Sequence, residues 1–356
     1  MVTLLIVIPV LLTHLNSRPG NTDSLATSTG TAVLTRTDQV TSADVIKMTP
    51  DHGRGVTAGM EAAGPAPTDK PVSTTTKDQA NKKQVITFGD KSGPGKLQRA
   101  RGVAVSPDNK IWVADRAQPR LQVYSMGGAH LYHFPQGSAG LGYSSKEPQD
   151  VSIDRDGHLW VLMSGYPTSS DAVAQFDRKG HLRANFDLPG TVPRIAPRGM
   201  AVGLRNNHVF VTWSGGYSGG VQAFQPDGKC LWEVGPQQRM MTPMNVAVNG
   251  DGNIFVSDFN THFIYIYDEN GQFVKMFGGP GRSDSNLSHP QGIGADSSGH
   301  IMVVDDSNQR VVVYTDRGEY VRHIAVHVKL PTRVAVGPGG QLVVINYNTI
   351  TVFPRY

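Results

Sequence analysis

The sequence predicts an all-β fold built from six copies of one four-stranded unit. The first observation is a repeat of roughly 47 residues in which a short turn precedes an alternating apolar triplet. The second is that the clearest copies consist of short β-branched and aromatic runs between Gly, Asn and Asp turns, with almost no helical period. The turn residues before the triplets follow one another at spacings of 48, 49, 46, 47 and 41 residues: Gly102, Asp150, Gly199, Asn245, Gly292 and Arg333.

The fourth copy shows the unit most clearly. Its first apolar run is 246–248, and Asp251-Gly252 supplies a hairpin turn into the second run, Ile254–Asp258. Polar turns then separate Phe263–Tyr267 and 273–277. A lone four-stranded sheet cannot bury both faces, whereas six sheets set radially bury them against each other. The sequence therefore predicts a six-bladed β-propeller of antiparallel blades, with the first strand of each blade innermost.

The chain before the repeats differs in kind. Residues 1–16 are strongly apolar but too short for a helix that crosses a hydrocarbon core of about 30 Å. They are interpreted as a membrane anchor, whole or truncated, or as a signal peptide. A third interpretation is that the segment has neither role. A membrane-anchored or secreted protein is favoured over a cytoplasmic one. Residues 17–84 are rich in Ser, Thr, Pro and Gly, which predicts a disordered linker, and the propeller is assigned to 85–356.

The ring is expected to close with a strand from the start of the repeat region. The sixth copy has only three apolar runs, 334–336, Leu342–Ile345 and Ile350–Phe353. Segment 85–89 stands alone before the first copy and matches residues 274–278, the end of the fourth copy. We therefore expect residues 85–89 to supply the fourth strand of the last blade.

The repeat pattern resembles a known family. The fifth copy carries Pro290-x-Gly292, then Val303-Val304-Asp305, then Asn308-x-Arg310. This resembles the NHL repeat, and six copies over 85–356 are similar to the C-terminal propeller of tripartite-motif (TRIM-NHL) proteins. Copies two and three depart from the pattern with longer Gly- and Ser-rich turns at 163–171 and 213–220. The resemblance implies a recognition module for protein or RNA.

The single cysteine limits the possible chemistry. One Cys among 356 residues excludes a disulfide framework and the RING and B-box zinc modules of that family, so no ligase activity of its own is expected. A catalytic zinc needs three converging protein ligands, and His289 is the only imidazole beside the repeat openings. No metal, cofactor or catalytic residue is expected, and a metal-dependent lyase or hydrolase at the central channel remains an alternative.

The other side chains that could bind a metal or a proton are expected to have structural roles. His130 and His133 lie three apart on an outer strand and are expected to face opposite sides. The periodic carboxylates Asp115, Asp258 and Asp305 are expected to cap turns through side-chain to backbone hydrogen bonds. The sequon Asn286-Leu287-Ser288 gives one possible N-glycosylation site.

The loops before each first strand and those between second and third strands share one propeller face. Both sets are rich in Arg and aromatic residues, which are frequent at interfaces and suit stacking on bases. We expect a monomeric propeller that binds a protein or peptide on this face, with single-stranded RNA as the alternative in a cytosolic protein. Arg101, Arg198 and Arg333 are expected to be the freest. The predicted binding residues are Arg99, Arg101, Arg116, Arg198, Trp213, Tyr217, Phe259, His262, Arg310, Arg333 and Tyr347.

Overall fold

Six four-stranded antiparallel sheets form a closed ring. The computed structural model describes residues 84–117, 120–134, 146–165, 170–189 and 198–355. The first strand of each sheet contacts the first strands of the two neighbouring sheets, all the way round. The predicted six-bladed β-propeller is thereby confirmed. The apolar segment 1–16 and all but the last residue of the predicted linker 17–84 lie outside the described residues.

Each of the first three blades takes its strands in chain order from the centre outward. Blade 1 consists of β2 (Ala100–Val105), β3 (Lys110–Asp115), β4 (Leu121–Ser125) and β5 (His130–Phe134), after β1 (Ile86–Phe88). Blade 2 consists of β6 (Glu147–Ile153), β7 (Leu159–Ser164), β8 (Ala172–Phe176) and β9 (Leu182–Asp187). Blade 3 consists of β10 (Met200–Val202), β11 (Val209–Gly215), β12 (Ser218–Phe224) and β13 (Cys230–Val234).

The remaining blades repeat this order, and the last one borrows β1. Blade 4 consists of β14 (Pro243–Val248), β15 (Ile254–Asp258), β16 (Phe263–Tyr267) and β17 (Phe273–Gly278). Blade 5 consists of β18 (Pro290–Ala295), β19 (Ile301–Asp305), β20 (Arg310–Tyr314) and β21 (Tyr320–Ala325). Blade 6 consists of β22 (Arg333–Val336), β23 (Leu342–Ile345), β24 (Ile350–Phe353) and β1. Short 3₁₀ turns occur at Pro236–Gln238 and Asp306–Asn308.

The predicted closure by residues 85–89 is confirmed. Strand β1 pairs antiparallel with β24, with Ile86 opposite Val352 and Phe88 opposite Ile350. The hydroxyl groups of Thr87 and Thr351 are 3.0 Å apart across this pair. The chain therefore joins the beginning and the end of the repeat region within one sheet.

The core is divided among the blade interfaces rather than gathered at one centre. Six apolar clusters of buried side chains are found, one between each pair of adjacent blades. Between blades 1 and 2, for example, the Trp112 ring contacts Phe134 edge-on and Phe134 contacts Phe176. Each blade thus buries both faces, as the repeat pattern requires. Among the residues placed by the structure, no helix is long and apolar enough to cross a bilayer.

The periodic aspartates hold the loops on one side of the ring. Asp115 accepts hydrogen bonds from the backbone N–H groups of Gln98 and Arg99 at 2.9 and 2.8 Å. Asp258 and Asp305 accept equivalent bonds from the loops that enter blades 4 and 5. The expected turn-capping role is confirmed, and it fixes the loops that carry the predicted binding residues.

Candidate functional site

The six residues that open the blades alternate between glycine and a larger polar side chain around the channel. A Cβ at each of the three glycines would collide with the polar residue that opens the next blade. Glycine in alternate blades therefore makes room for three side chains at the axis. The glycines are Gly102, Gly199 and Gly292, and the side chains that they admit are Asp150, Asn245 and Arg333.

These three polar side chains, the axial triad, interact across the channel. The Asn245 Nδ2 donates to Asp150 Oδ2 at 3.1 Å, although the two residues belong to different blades. Arg333 Nη2 donates to the carbonyl oxygen of Met244 at 3.2 Å, from blade 6 to blade 4. All three residues are 5% exposed or less. The triad therefore closes the channel with a polar layer.

The electrostatics of the triad are unusual for a buried layer. Burial raises the pKa of Asp150 to about 6, and the positive charge of Arg333 opposes that rise. Burial also lowers the pKa of Arg333, whose Nε has no acceptor. A buried guanidinium and a buried carboxyl thus share one small space, so the loss of either partner leaves the other uncompensated.

A cavity of about 200 Å³ lies in the channel, lined by the inner strands and by the triad. Its walls are mostly small and apolar, as the residues Ala104, Ala201 and Ala247 show. Because the triad residues directly precede the apolar triplets of their inner strands, on the side of the loop face, the triad separates this cavity from the loop face above.

The loop face carries a second cluster directly at the channel mouth. The mouth cluster consists of Arg99, Arg101, Arg116 and Tyr347. The Arg101 guanidinium carbon lies 4.8 Å from the centroid of the Tyr347 ring, a distance typical of cation–π contact. Arg116 pairs with Glu147 at 2.5 Å, and Arg99 is exposed.

Arg101 lacks a negative partner. Burial lowers its pKa, the Tyr347 phenol acts in the opposite direction, and the charges of Arg116 and Arg99 lower it further. No carboxylate of the described residues forms an ion pair with it, and its Nε has no acceptor. A half-buried guanidinium is thus left with unused donors at the mouth.

Two other predicted residues form a cluster with His289 on the same face. The rings of Phe259 and His262 each lie 4.6 Å from the His289 ring, centroid to centroid. His262 Nδ1 accepts the backbone N–H of His289 at 2.9 Å. Burial and the neighbouring His289 lower the pKa of His262. Tyr217, at the turn between β11 and β12, is 91% exposed and is not part of either cluster.

Four predicted binding residues are buried instead of presented. The expectation that Arg198 and Arg333 are free is wrong, because both are less than a tenth exposed. Arg310 is fixed within the repeat, since its Nε donates to Asp305 at 2.8 Å. The buried set is Arg198, Trp213, Arg310 and Arg333.

The expectation for the two histidines of β5 is also wrong. The register of β4 with β5 shifts so that Leu131 is skipped, which is a β-bulge. The rings of His130 and His133 therefore lie 4.9 Å apart instead of on opposite sides. Burial lowers the pKa of His130, and the neighbouring His133 lowers it further.

The sequon and the one candidate metal group of the described residues lie outside the two clusters of the loop face. Asn286 Nδ2 donates to the carbonyl oxygens of Gly279 and Pro280, at 3.4 and 3.3 Å, and its glycosylation stays a prediction. Within the described part of the chain, one group of three metal-ligating side chains occurs, Asp154, Asp156 and His158, in the turn after β6. That turn is on the side opposite the mouth, away from the channel site considered in the lyase alternative.

Comparison with known proteins agrees with the fold. No family model matches the chain. A segment is 42% identical over 59 residues to Protein brain tumor of Drosophila melanogaster, which is 16% of this chain and 6% of that protein.

Solved structures cover much more of the chain at low identity. A streptogramin B lyase is 13% identical with a TM-score of 0.54 over 76% of this chain and 97% of the lyase chain. Virginiamycin B lyase from Staphylococcus aureus is 16% identical with a TM-score of 0.50, over 76% of this chain and 88% of the lyase chain. The structure of a nidogen–laminin complex is 14% identical with a TM-score of 0.51, over 67% of this chain and 85% of the matched chain. These likenesses show a shared fold and carry no activity to this protein.

Proposed function

We propose that this propeller is a noncatalytic recognition module whose channel mouth binds a carboxylate-bearing segment of a protein or peptide partner. The observation that carries the proposal is the Arg101 guanidinium, stacked on Tyr347 without a carboxylate partner. A guanidinium offers a planar fork of donors that matches a carboxylate in bidentate geometry.

The surroundings of Arg101 favour an anionic ligand. Of the three arginines of the mouth cluster, Arg116 pairs with Glu147, whereas Arg99 and Arg101 form no ion pair with a carboxylate of the described residues. Tyr347 is 37% exposed, and its ring offers an apolar surface beside the charge. Arg and Tyr are also the residue types on which binding energy most often concentrates at protein interfaces. A partner side chain that ends in a carboxylate fits this combination.

The axial triad limits how deep such a ligand enters. Asp150 would be the natural acid–base group for chemistry at the channel, because its pKa is raised to about 6. Its two oxygens, however, accept hydrogen bonds from Val151, Met200 and Asn245. A ligand therefore rests on the mouth above the triad. This arrangement favours recognition over the lyase or hydrolase alternative. Stoichiometric zinc or calcium in the purified protein would support that enzymatic alternative.

A peptide-display selection tests the proposal. A random linear library is selected on the wild-type propeller and counter-selected on Arg101→Ala. We expect the enriched peptides to share an Asp or Glu, and replacing that residue by Asn or Gln should weaken binding about 10–100-fold, as for loss of a charge-assisted hydrogen bond. Arg205→Ala, an exposed arginine on the opposite face, is the matched control and should leave binding unchanged. Peptides without an acidic residue, or equal binding to Arg101→Ala, would overturn the proposal.

RNA binding is measured on the same proteins as a competing outcome. A fluorescent uridine 20-mer is titrated at low salt and then at rising salt. RNA affinity that falls steeply with salt and depends on Arg101 would indicate that the ligand of the channel mouth is single-stranded RNA and not a peptide. The absence of RNA binding alongside acidic peptide enrichment supports the proposal as stated.

A further inference from the structure

A second cavity lies between blades 1 and 2, at the ends opposite the channel mouth. It has a volume of about 340 Å³, within the usual range for small-molecule sites, roughly 300–1,000 Å³. The turn between β2 and β3 and the turn between β6 and β7 form its rim. Its apolar walls come from Trp112, Tyr132, Ile153 and Leu159.

The two blades carry the same motif here with one difference. In blade 2, Asp154 precedes Trp160 by six residues, and the Trp160 Nε1–H donates to Asp154 Oδ2 at 2.9 Å. In blade 1, Ser106 stands at the position of Asp154, and Trp112 stands at the position of Trp160. Blade 1 therefore lacks the carboxylate that its neighbour places beside the indole.

This replacement leaves a buried donor without an acceptor. Trp112 is 6% exposed, and its Nε1 has no hydrogen-bond partner. The Ser106 hydroxyl does not serve as its acceptor, and it donates to Asp108 Oδ1 at 2.5 Å. An unpaired buried N–H is unfavourable and rare in folded proteins. In blade 2 the equivalent indole N–H donates to Asp154, at the start of the turn that corresponds to the Ser106 turn of the cavity.

The charged groups of the cavity leave one positive charge unbalanced. Lys110 Nζ pairs with Asp108 at 2.8 Å and lies 5.8 Å from the Tyr132 ring centroid. Arg178 Nη2 donates to the carbonyl oxygen of Asp156 at 2.9 Å, and no carboxylate of the described residues pairs with its guanidinium. A side chain at Gly157 would collide with this guanidinium, so the glycine is what allows Arg178 to lie against the turn.

We propose that this cavity binds a monocarboxylate with an apolar body. The ligand carboxylate takes the place of the missing Asp, accepts the Trp112 Nε1–H and pairs with Arg178, while the apolar body packs against Tyr132 and Leu159. The source of the carboxylate is a small free acid or the C-terminus of a peptide, since both present the same chemistry. This site is on the opposite face from the channel mouth and does not depend on the function proposed there.

Indole N–H signals in a nitrogen-15 spectrum test the proposal directly. The chain has four tryptophans, so four signals are expected, and Trp112→Phe and Trp160→Phe assign two of them. Phenylacetate is added to the protein up to millimolar concentration, and phenylacetamide is the uncharged control. N-acetyl-Gly-Phe is added in the same way, with its C-terminal amide as the control. We expect a saturable shift of the Trp112 signal with the acids, no shift of Trp160, and no effect of either amide. A response to the dipeptide acid alone assigns the site to peptide C-termini, and a response to phenylacetate alone assigns it to small acids.

Variants make the outcome decisive. Ser106→Asp supplies the carboxylate found in blade 2, so it should shift the Trp112 signal without ligand and abolish binding. Arg178→Met should weaken binding about tenfold, as expected for loss of a charge-assisted contact. Arg101→Ala at the channel mouth should leave this binding unchanged. An unmoved Trp112 signal with both acids, parallel shifts of all indole signals, or undiminished binding to Ser106→Asp would overturn the proposal.

Discussion

Removing the titration of Asp150 should change how the stability of this protein depends on pH. Burial raises the folded-state pKa of Asp150 from 3.8 to about 6. A difference of about 2 pKa units corresponds to about 3 kcal/mol between the folded and unfolded states. Because the folded-state pKa is the higher one, this stabilising contribution is complete below pH 3.8 and is lost as the pH rises through 6. We therefore predict that, as the pH falls from 7 to 4, the free energy of unfolding of wild type rises by up to about 3 kcal/mol relative to that of Asp150→Asn.

Urea unfolding followed by tryptophan fluorescence measures this difference. The free energy of unfolding is determined for both proteins at closely spaced values across this pH range. The difference between the two curves isolates Asp150, because every other titrating group is common to both proteins. Asp251→Asn, at an exposed turn, is the matched control and should give a curve parallel to wild type.

The reasoning fails if the two curves remain parallel, since Asp150 would then have no raised pKa in the folded protein. It also fails if wild type loses stability relative to Asp150→Asn as the pH falls through 6. That sign would mean that pairing with Arg333 outweighs burial.

Three further predictions concern the scaffold. Deleting residues 84–90 removes β1 from blade 6, so the thermal unfolding transition should lose cooperativity; a melt like that of wild type would refute the closure. Gly292→Ala places a Cβ 2.5 Å from the Arg333 Cα and should cost about 2 kcal/mol or more in urea unfolding, whereas Gly250→Ala, which meets no atom within 4 Å, should cost under about 0.5 kcal/mol. Asp305→Ala leaves buried Arg310 unpaired and should cost about 3–5 kcal/mol, with part of the loss recovered in Asp305→Ala/Arg310→Met; equal losses in both would contradict the ion-pair account.

Much of the fold could be predicted from the sequence because the repeat encodes it locally. Strands β15 and β16 begin and end at the predicted residues, since turns with Asp, Asn or Gly flank short β-branched and aromatic runs. The match between 85–89 and 274–278 predicted the closure, because equivalent strands of one repeat have equivalent sequences. The capping role of Asp115 followed from its periodic placement.

The site could be predicted only in part, because it depends on contacts between blades. Arg101 and Tyr347 were expected on the loop face, but their stacking needs the ring to be closed. Arg333 is buried because Gly292 in the preceding blade leaves no side chain in its way. That alternation of glycine with larger residues is visible in the six openings, yet it acquires meaning only when they meet at one axis.

Two local features could not be predicted from the sequence. The bulge at Leu131 cannot be read from residue spacing, and it brings His130 and His133 to the same side. The missing acceptor of Trp112 becomes apparent only in the structure, where its Nε1 is buried without a partner while the Trp160 Nε1–H donates to Asp154.

A crystal structure of the propeller with an acidic peptide from the display selection would examine the channel mouth most directly. The peptide carboxylate should lie within hydrogen-bond distance of the Arg101 guanidinium, with the peptide backbone over Tyr347 and the axial triad unchanged beneath it. A peptide bound to another face, or a carboxylate that contacts other residues while Arg101 stays unpaired, would contradict the assignment of the mouth as the recognition site.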